Sequence, residues 1–362
     1  MKFFATAAQG TEPLLADELR ELRLERVKPT RGGVAFSGRW EDAWRACLWS
    51  RIAVRILLPL TEYPCRGPED LYAGARRVDW DEHLSPKTTL AVSAVGSAPG
   101  LDNTMFISQK VKDAAVDHLR DRFGARPSVD RVDPDVGVFA RIGGGRASLY
   151  LDLSGDALHK RGYRSTGARA PLKETLAAAL VRASGWDRER DFVDPMCGSG
   201  TIAIEADMLA RRVAPNLRRQ RFGFERWASF DDGHRKRMQL FREQALAGEV
   251  DAGPPVFASD MDPDAVKIAL DNVQRARAHV DVARRALADH AETSRAVVVS
   301  NPPHGERLRV DAALFVELER VFAGSRLALL IGPRTPVKVP RTARVFEVSN
   351  GAIPCRFVVF DT

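Results

Sequence analysis

Beyond Lys173 the sequence alternates short apolar runs with amphipathic stretches, and that alternation restricts the fold more than any other feature of the chain. The spacing predicts a helix from Lys173 to Ser184, a strand around Phe192-Val193, a helix from Thr201, and a strand at Val256-Phe257-Ala258. A helix from Pro263 to about Ala278 and a strand from Ala296 to Val299 follow. Strands alternating with helices call for a parallel sheet covered on both faces, so this part of the chain is α/β. Leu327 to Ile331 adds a strand, and Arg344 to Val348 with Arg356 to Phe360, separated by Asn350-Gly351, reads as an antiparallel edge hairpin.

The first half has another pattern. Residues 1 to about 60 give a strand, a helix that Thr11 would cap, a turn at Arg31-Gly32-Gly33 feeding a strand, a helix over Trp44 to Trp49, and an apolar strand from Ile52 to Leu60. Residues 61 to 165 give a strand from Thr88 to Val95, a helix from Met105 to Phe123, and a hairpin of Gly137 to Ile142 with Ala147 to Leu153 across Gly143-Gly144-Gly145. Each is a small α+β unit. The polar run from Ser165 to Pro171 marks the boundary, which divides the chain into 1–60, 61–165 and 166–362.

Charge and cysteine usage narrow the setting. A formal net charge of +7 and a pI near 9.4 favour an anionic partner, nucleic acid before a membrane surface, although the surplus is small for 362 residues. Cys47, Cys65, Cys197 and Cys355 are widely spaced, without a metal-type pair or a disulfide framework, as expected of reduced thiols in a cytoplasmic protein. The N-terminus lacks the apolar stretch of a signal peptide, and no uninterrupted apolar run is long enough for a transmembrane helix.

The strongest local signal is Asp194-Pro195-Met196-Cys197-Gly198-Ser199-Gly200-Thr201, set between a strand and a helix. Glycine lets the backbone turn sharply and lets a ligand approach, and the N–H groups at the next helix start can meet an anionic group. Alone, such a turn is often an ordinary strand-to-helix connection. A second strand, however, ends in Ser259-Asp260-Met261-Asp262, where Asp260 suits a ribose-binding carboxylate and Met261 could pack on adenine. The plainer reading, a helix cap, fits Asp262 better than Asp260. Asp289 is a further candidate, for the adenine amino group.

After the strand Val297-Val298-Val299-Ser300 comes Asn301-Pro302-Pro303-His304. Two prolines fix the backbone and remove local donors, while Asn301 projects an amide oxygen. A double proline after a strand is by itself more often a simple breaker. Placed after a strand of a cofactor-binding sheet, it suits an exocyclic base amine aimed at a sulfonium methyl, with rate gained by positioning and by stabilising shifting charge. Such a base must be unpaired or held outside its stack.

These residues resemble the Asn-Pro-Pro-aromatic class I methyltransferases with an appended THUMP domain, above all the 23S ribosomal RNA guanine-N2 methyltransferases. The similarity extends to Ile56-Leu57-Leu58-Pro59-Leu60, Val111-Lys112-Asp113-Ala114, Leu151-Asp152-Leu153-Ser154-Gly155, His159-Lys160-Arg161-Gly162-Tyr163-Arg164, Ala170-Pro171-Leu172-Lys173-Glu174, Phe222-Gly223-Phe224-Glu225-Arg226-Trp227 and Asn350-Gly351-Ala352. The resemblance implies a ferredoxin-like domain, an RNA-binding THUMP domain and a Rossmann-like catalytic domain. It implies S-adenosyl-L-methionine as cofactor and no metal. The methionine end would lie along Asp194, Met196, Cys197, Gly198, Ser199, Gly200 and Thr201, the ribose on Asp260, and the guanine amine at Asn301 to His304. RNA, large-subunit ribosomal RNA first, is the implied partner; transfer RNA and adenine-N6 remain alternatives, and oligomeric state is not legible.

One departure stands out. The family has tyrosine or phenylalanine where this chain has His304, and the smaller imidazole face gives up part of the roughly 1–3 kcal/mol of base stacking. Reduced turnover, another base, or a non-catalytic RNA-binding assembly factor would each fit that change. The arginines at 211, 212, 218, 219, 221 and 226, interleaved with Phe222, Phe224 and Trp227, form a candidate RNA-facing cluster whose aromatics are expected in the core. His159, Lys160, Arg161 and Arg164 form a second such patch, and Lys110 with Lys112 either a third or a solvated helix face.

Overall fold

The computed structural model describes residues 1–164, 172–290, 295–302, 312–333, 335, 337–351 and 353–362. The first half builds one sheet from β1 (Lys2–Thr6), β2 (Glu25–Thr30), β3 (Gly33–Ser37), β4 (Arg55–Pro64), β5 (Thr89–Gly96), β6 (Ser128–Val129), β7 (Val136–Gly143) and β8 (Arg146–Asp152). Their order is β2-β3-β1-β4-β8-β7-β5-β6. Helices α1 (Glu12–Glu21), α2 (Trp40–Trp49), α3 (Pro68–Arg76) and α4 (Thr104–Phe123) accompany it. β4 pairs with β1 along one edge and with β8 along the other, so it crosses position 60 as a strand common to both N-terminal units.

The second half builds a sheet from β9 (Phe192–Asp194), β10 (Val256–Asp260), β11 (Asp281–Arg284), β12 (Val297–Ser300), β13 (Arg326–Ile331), β14 (Arg344–Asn350) and β15 (Ile353–Asp361), in the order β11-β10-β9-β12-β13-β15-β14. Helices α5 (Glu174–Ala183), α6 (Thr201–Ala210), α7 (Asp232–Ala247), α8 (Pro263–Ala276) and α9 (Ala312–Val321) belong to this half. β9 to β13 are parallel, and β15 runs antiparallel between β13 and the edge strand β14. This is the Rossmann-like α/β sheet expected, with its hairpin turn at Asn350-Gly351. The run Val297-Val298-Val299 explains how it is covered: Val297 and Val299 join the core that includes Leu176 and Leu180 of α5, while Val298 joins Phe315 and Leu318 of α9.

Several elements depart from the sequence reading. Thr11 precedes α1 but makes no side-chain cap; its hydroxyl donates to the Ala8 carbonyl at 2.7 Å, and the Glu12 carboxylate takes the N–H groups of Gly10 and Gly32 instead. β2, mostly exposed and containing Pro29, forms an edge by pairing with β3. α3, α7, α9, β6 and β11 have no counterpart among the predicted elements. α7 has only two buried residues, Met238 and Ala245, and β11 has none, so neither carries a strong apolar pattern.

The halves share one core and one buried polar junction. Trp44 of α2 stacks on Phe224 with ring centroids 5.4 Å apart, and Phe222 and Phe224 are buried, as expected of these aromatics. Arg161, 4% exposed, donates to the carbonyls of Leu158 and Arg51 and to Asn216 Oδ1, and its Nε lies 3.4 Å from Glu205 Oε1. Tyr163 donates to the same Glu205 oxygen, and Arg51 reaches across to the carbonyls of Met208 and Val213. Removing Glu205 would leave Arg161 buried without its counter-charge. Glu205→Ala is therefore expected to lower unfolding stability by about 3–5 kcal/mol in urea titrations, and Glu205→Gln by less; a loss under ~1 kcal/mol for alanine would show that Arg161 does not depend on this partner.

Candidate functional site

Connections from the central parallel strands diverge between β9 and β12, because β9 is flanked by β10 on one side while β12 is flanked by β13 on the other. A cleft forms at the carboxyl ends of strands where the order reverses in this way. Asp194 ends β9 and Asn301 follows β12, and Ser300 Oγ donates to Asp194 Oδ1 at 2.8 Å. The glycine turn and the start of the Asn-Pro-Pro loop thus lie side by side at one end of the sheet.

The turn is held mainly from β10. Cys197 N–H donates to the Ser259 carbonyl at 2.8 Å, and Gly198 N–H to Asp260 Oδ2 at 2.9 Å. Asn272 of α8 donates to the Ser199 carbonyl at 2.9 Å. Gly198 and Gly200 both have positive φ, +51° and +76°. A side chain at Gly200 would also meet Ala269 Cβ at 3.2 Å, whereas the space beside Gly198 is open, as close ligand approach requires. Ser199 and Thr201 place their hydroxyls 3.0 Å apart at the start of α6, and Arg164 Nη2 donates to the Thr201 hydroxyl at 3.4 Å.

The neighbouring acids have separate tasks. Asp260 accepts from Gly198 N–H on one oxygen and from Asp262 N–H, at 3.0 Å, on the other, which leaves each oxygen a further lone pair for hydroxyl donors. Asp262 accepts from Asp264 N–H at 2.9 Å and caps α8. Met261 stands 72% exposed beside them. Asp289 is exposed in a short 3₁₀ turn, Leu287–Asp289, after β11.

Asn301 is half-buried, and its Oδ1 is buried without a hydrogen-bond partner among the described residues. Pro302 is buried; Pro303 and His304 lie outside the described residues. An unsatisfied buried acceptor costs free energy until a donor meets it. Burial pushes the Asp194 carboxyl up to about 7, Asp260 adding to the rise while Ser300 and the Met196 N–H oppose it. Burial also raises the Cys197 thiol, so that side chain is no ready nucleophile.

Two supporting residues were not singled out in sequence. Ser300 is the polar end of an apolar strand, which was its available signal. Glu174, at the start of α5, is buried, has one oxygen unpartnered, lies 3.1 Å from Arg164 Nε, and is raised to about 7 by burial despite that arginine. The arginines divide between buried positions and a surface cavity lined by Arg218, Arg219, Arg221 and Arg226. Arg161 is buried, Arg164 pairs with Glu174, and Arg211 pairs with Asp207 while donating to the Arg277 carbonyl. Arg218 and Arg219 donate to backbone carbonyls, whereas Arg221 and Arg226 reach Asp133 across to the second N-terminal unit. Among the described residues, no group of three or more His, Cys, Asp or Glu could hold a metal ion, and no helix is long and apolar enough to cross a membrane.

Comparison with known proteins adds three domain matches: an RlmL ferredoxin-like domain over residues 2–57, a THUMP domain over 65–152, and an RMKL-like methyltransferase domain over 161–331. "Ribosomal RNA large subunit methyltransferase K/L" of Methylococcus capsulatus is 43% identical over 376 residues, covering 99% of this chain and 51% of that protein. The chain spans about half the length of the curated relatives it matches. The crystal structure of SMU.472, a protein described as a methyltransferase and complexed with SAH, has 28% identity and a TM-score of 0.84, covering 99% of this chain and 97% of the other. A Listeria monocytogenes protein described as an N6-adenine-specific DNA methylase has 26% identity and a TM-score of 0.83, covering 100% and 96%.

The raised Asp194 carboxyl has a sign that can be measured. Its folded value, about 7, lies above the ordinary value, so its contribution to stability is full at acid pH and is lost as pH rises from about 4 to about 7. The melting temperature of Asp194→Asn relative to the natural chain should rise across that interval and level off above it. A constant difference would mean that Asp194 ionises normally.

Proposed function

We propose that this chain, along which an RlmL ferredoxin-like domain, a THUMP domain and an RMKL-like methyltransferase domain match in succession, transfers a methyl group to the exocyclic N2 amine of a guanosine in RNA, large-subunit ribosomal RNA being the substrate. The observation that carries the reading is the buried, unpartnered Oδ1 of Asn301 at the end of the strand beside Asp194. An amine N–H satisfies that acceptor and directs the nitrogen lone pair into the cleft. Guanine N7, which bears no hydrogen, cannot make this bond.

The cofactor is S-adenosylmethionine, which supplies an electrophilic methyl group on a sulfonium. The open approach at Gly198, the spare lone pairs of Asp260 and the buried Asp194 fit its methionine, ribose and ammonium groups respectively. Met196, Cys197, Ser199, Gly200 and Thr201 complete the turn, and Met261 and Asp289 are assigned to the adenine. Pro302 and Pro303 are assigned to fix the backbone from which Asn301 projects, and His304 to stack on the target base. In this scheme residues 1–60 and 61–165 hold the RNA and 166–362 carries out the transfer.

A second reading, methylation of an adenine N6 amine, shares the Asn301 contact and is favoured by the description of the Listeria relative. Incubating the recombinant chain with labelled cofactor and separated ribosomal and transfer RNA, followed by nucleoside mass spectrometry, should yield N2-methylguanosine in the ribosomal pool. N6-methyladenosine would replace the first reading with the second, and absence of label from every pool would count against both.

Two variants test the assignments. Asn301→Ala should lower kcat by about 10²–10³ with little change in cofactor affinity, as for loss of one preorganised transition-state contact. Cofactor affinity, measured calorimetrically, should fall by up to about tenfold per pH unit below about 7, where Asp194 takes a proton, and the dependence should vanish in Asp194→Asn. A flat profile in the natural chain would remove Asp194 from contact with the ammonium.

A further inference from the structure

Residues alternating along the N-terminal sheet face opposite ways. Phe3, Ala5 and Ile56, with Val138, Ala140, Leu149 and Leu151, enter the two helix-backed cores, whereas Phe4, Leu57, Phe139 and Tyr150 form a separate cluster. Phe4 and Tyr150 lie with ring centroids 6.0 Å apart and planes at 29°, and Tyr150 and Phe139 at 6.4 Å. These rings line a cavity of about 560 Å³. That volume lies within the usual range for a small organic ligand.

The opposite wall belongs to the catalytic half. Lys173 and Thr175 at the start of α5 line it, with Asn350 and Gly351 from the β14–β15 turn. β15 runs antiparallel to β13, with Arg356 opposite Ile331, so this turn lies at the end of the sheet where Asp194 and Asn301 also lie. The cavity and the cofactor cleft therefore open from the same end of the catalytic domain.

Its chemistry is one-sided. Among the described residues no carboxylate lines it, while Arg141, Lys173 and Arg55 do. Arg55 is neutralised by Asp152, Arg141 donates to the Arg31 carbonyl, and the Lys173 ammonium has no partner among the described residues. His159 also lines the cavity, and its Nδ1 is buried without a partner. Burial, then Lys173 and nearby arginines, lower that imidazole to about 4, so at neutral pH it offers one donor and one acceptor.

We propose that this cavity seats an unpaired nucleotide of the RNA substrate, beside the methylated one, with its base against Phe4 and Tyr150 and its phosphate near Arg141 and Lys173. The inference rests on RNA being the substrate. Aromatic rings on a sheet surface hold unstacked bases, and the adjacent cations match the backbone charge; a base within a duplex cannot enter. His159 is placed to read the edge of the seated base.

The test uses the full chain with a single-stranded oligouridylate 12-mer, one form carrying 4-thiouridine and another a fluorophore. Ultraviolet crosslinks should map by mass spectrometry to peptides containing Phe4, Phe139 or Tyr150. Phe4→Ala should weaken binding of the labelled 12-mer about tenfold, Phe4→Tyr should restore it, and Lys173→Gln should weaken it about threefold. Affinity for a duplex of equal length should be unchanged, and thermal melts would establish that the variants are folded. Crosslinks confined to other surfaces, with unaltered affinity in folded Phe4→Ala and Lys173→Gln, would overturn the proposal. A change in self-association alone would equally overturn it by identifying a protein contact. Methyl transfer is scored separately: label in RNA without cavity crosslinks removes only this site, while cavity crosslinks without label remove only the methylation reading.

Discussion

The orientation of the two halves depends on a buried cation. Arg161 has its guanidinium donors directed at acceptors from three stretches of chain, the carbonyls of Leu158 and Arg51 and the amide oxygen of Asn216, with the Glu205 carboxylate supplying the charge. A flat apolar interface would tolerate sliding. A buried guanidinium instead loses several charge-assisted hydrogen bonds with any displacement, because its planar fork fits one arrangement of partners. The fused core around Trp44 and Phe224 adds non-directional attraction to this directional constraint. Together they fix where the β-sheet of the N-terminal half stands relative to the cleft at β9 and β12.

The cleft depends on a different economy of polar groups. Asp194 is deeply buried and receives one hydroxyl and one backbone N–H, whereas Asp260 is better exposed and organises two backbone N–H groups of adjacent loops. The same residue type therefore provides a carboxyl that burial holds close to neutral and another that shapes a turn. Asn301 completes the set as an acceptor without a donor among the described residues. Most acceptors of a folded chain are satisfied by that chain, so an exception in a cleft points outward to a ligand.

What could be read from sequence was whatever depended on local constraint. The turn from Asp194 to Thr201 was legible because positive φ and close approach demand glycine; the Asp262 cap and the Asn350-Gly351 hairpin were legible for similarly local reasons. The alternating catalytic half was legible because strands buried on both faces carry unbroken apolar runs. β2 and β11 were not, since edge strands of four to six residues lack that signal. Which arginines of the cluster are internal was not legible, because composition does not report partners: Arg211 is held by a buried acid, whereas Arg218, Arg219, Arg221 and Arg226 line an open cavity at the surface. Nor could sequence spacing reveal that Phe4, Phe139 and Tyr150 form one surface, which requires the long-range registers of β1, β4, β8 and β7.

The common strand β4 has a mechanical consequence. Two units joined by a flexible tether could swing and sample many separations, but units that hydrogen-bond to opposite edges of a single strand can move apart only by breaking its ladder. The far edge at β6 is therefore carried at a set reach from the cleft, like the jaw of a locked caliper. A polymer gripped at both places would be measured by span, so its tertiary spacing, and not only the bases touched, would decide which nucleotide arrives.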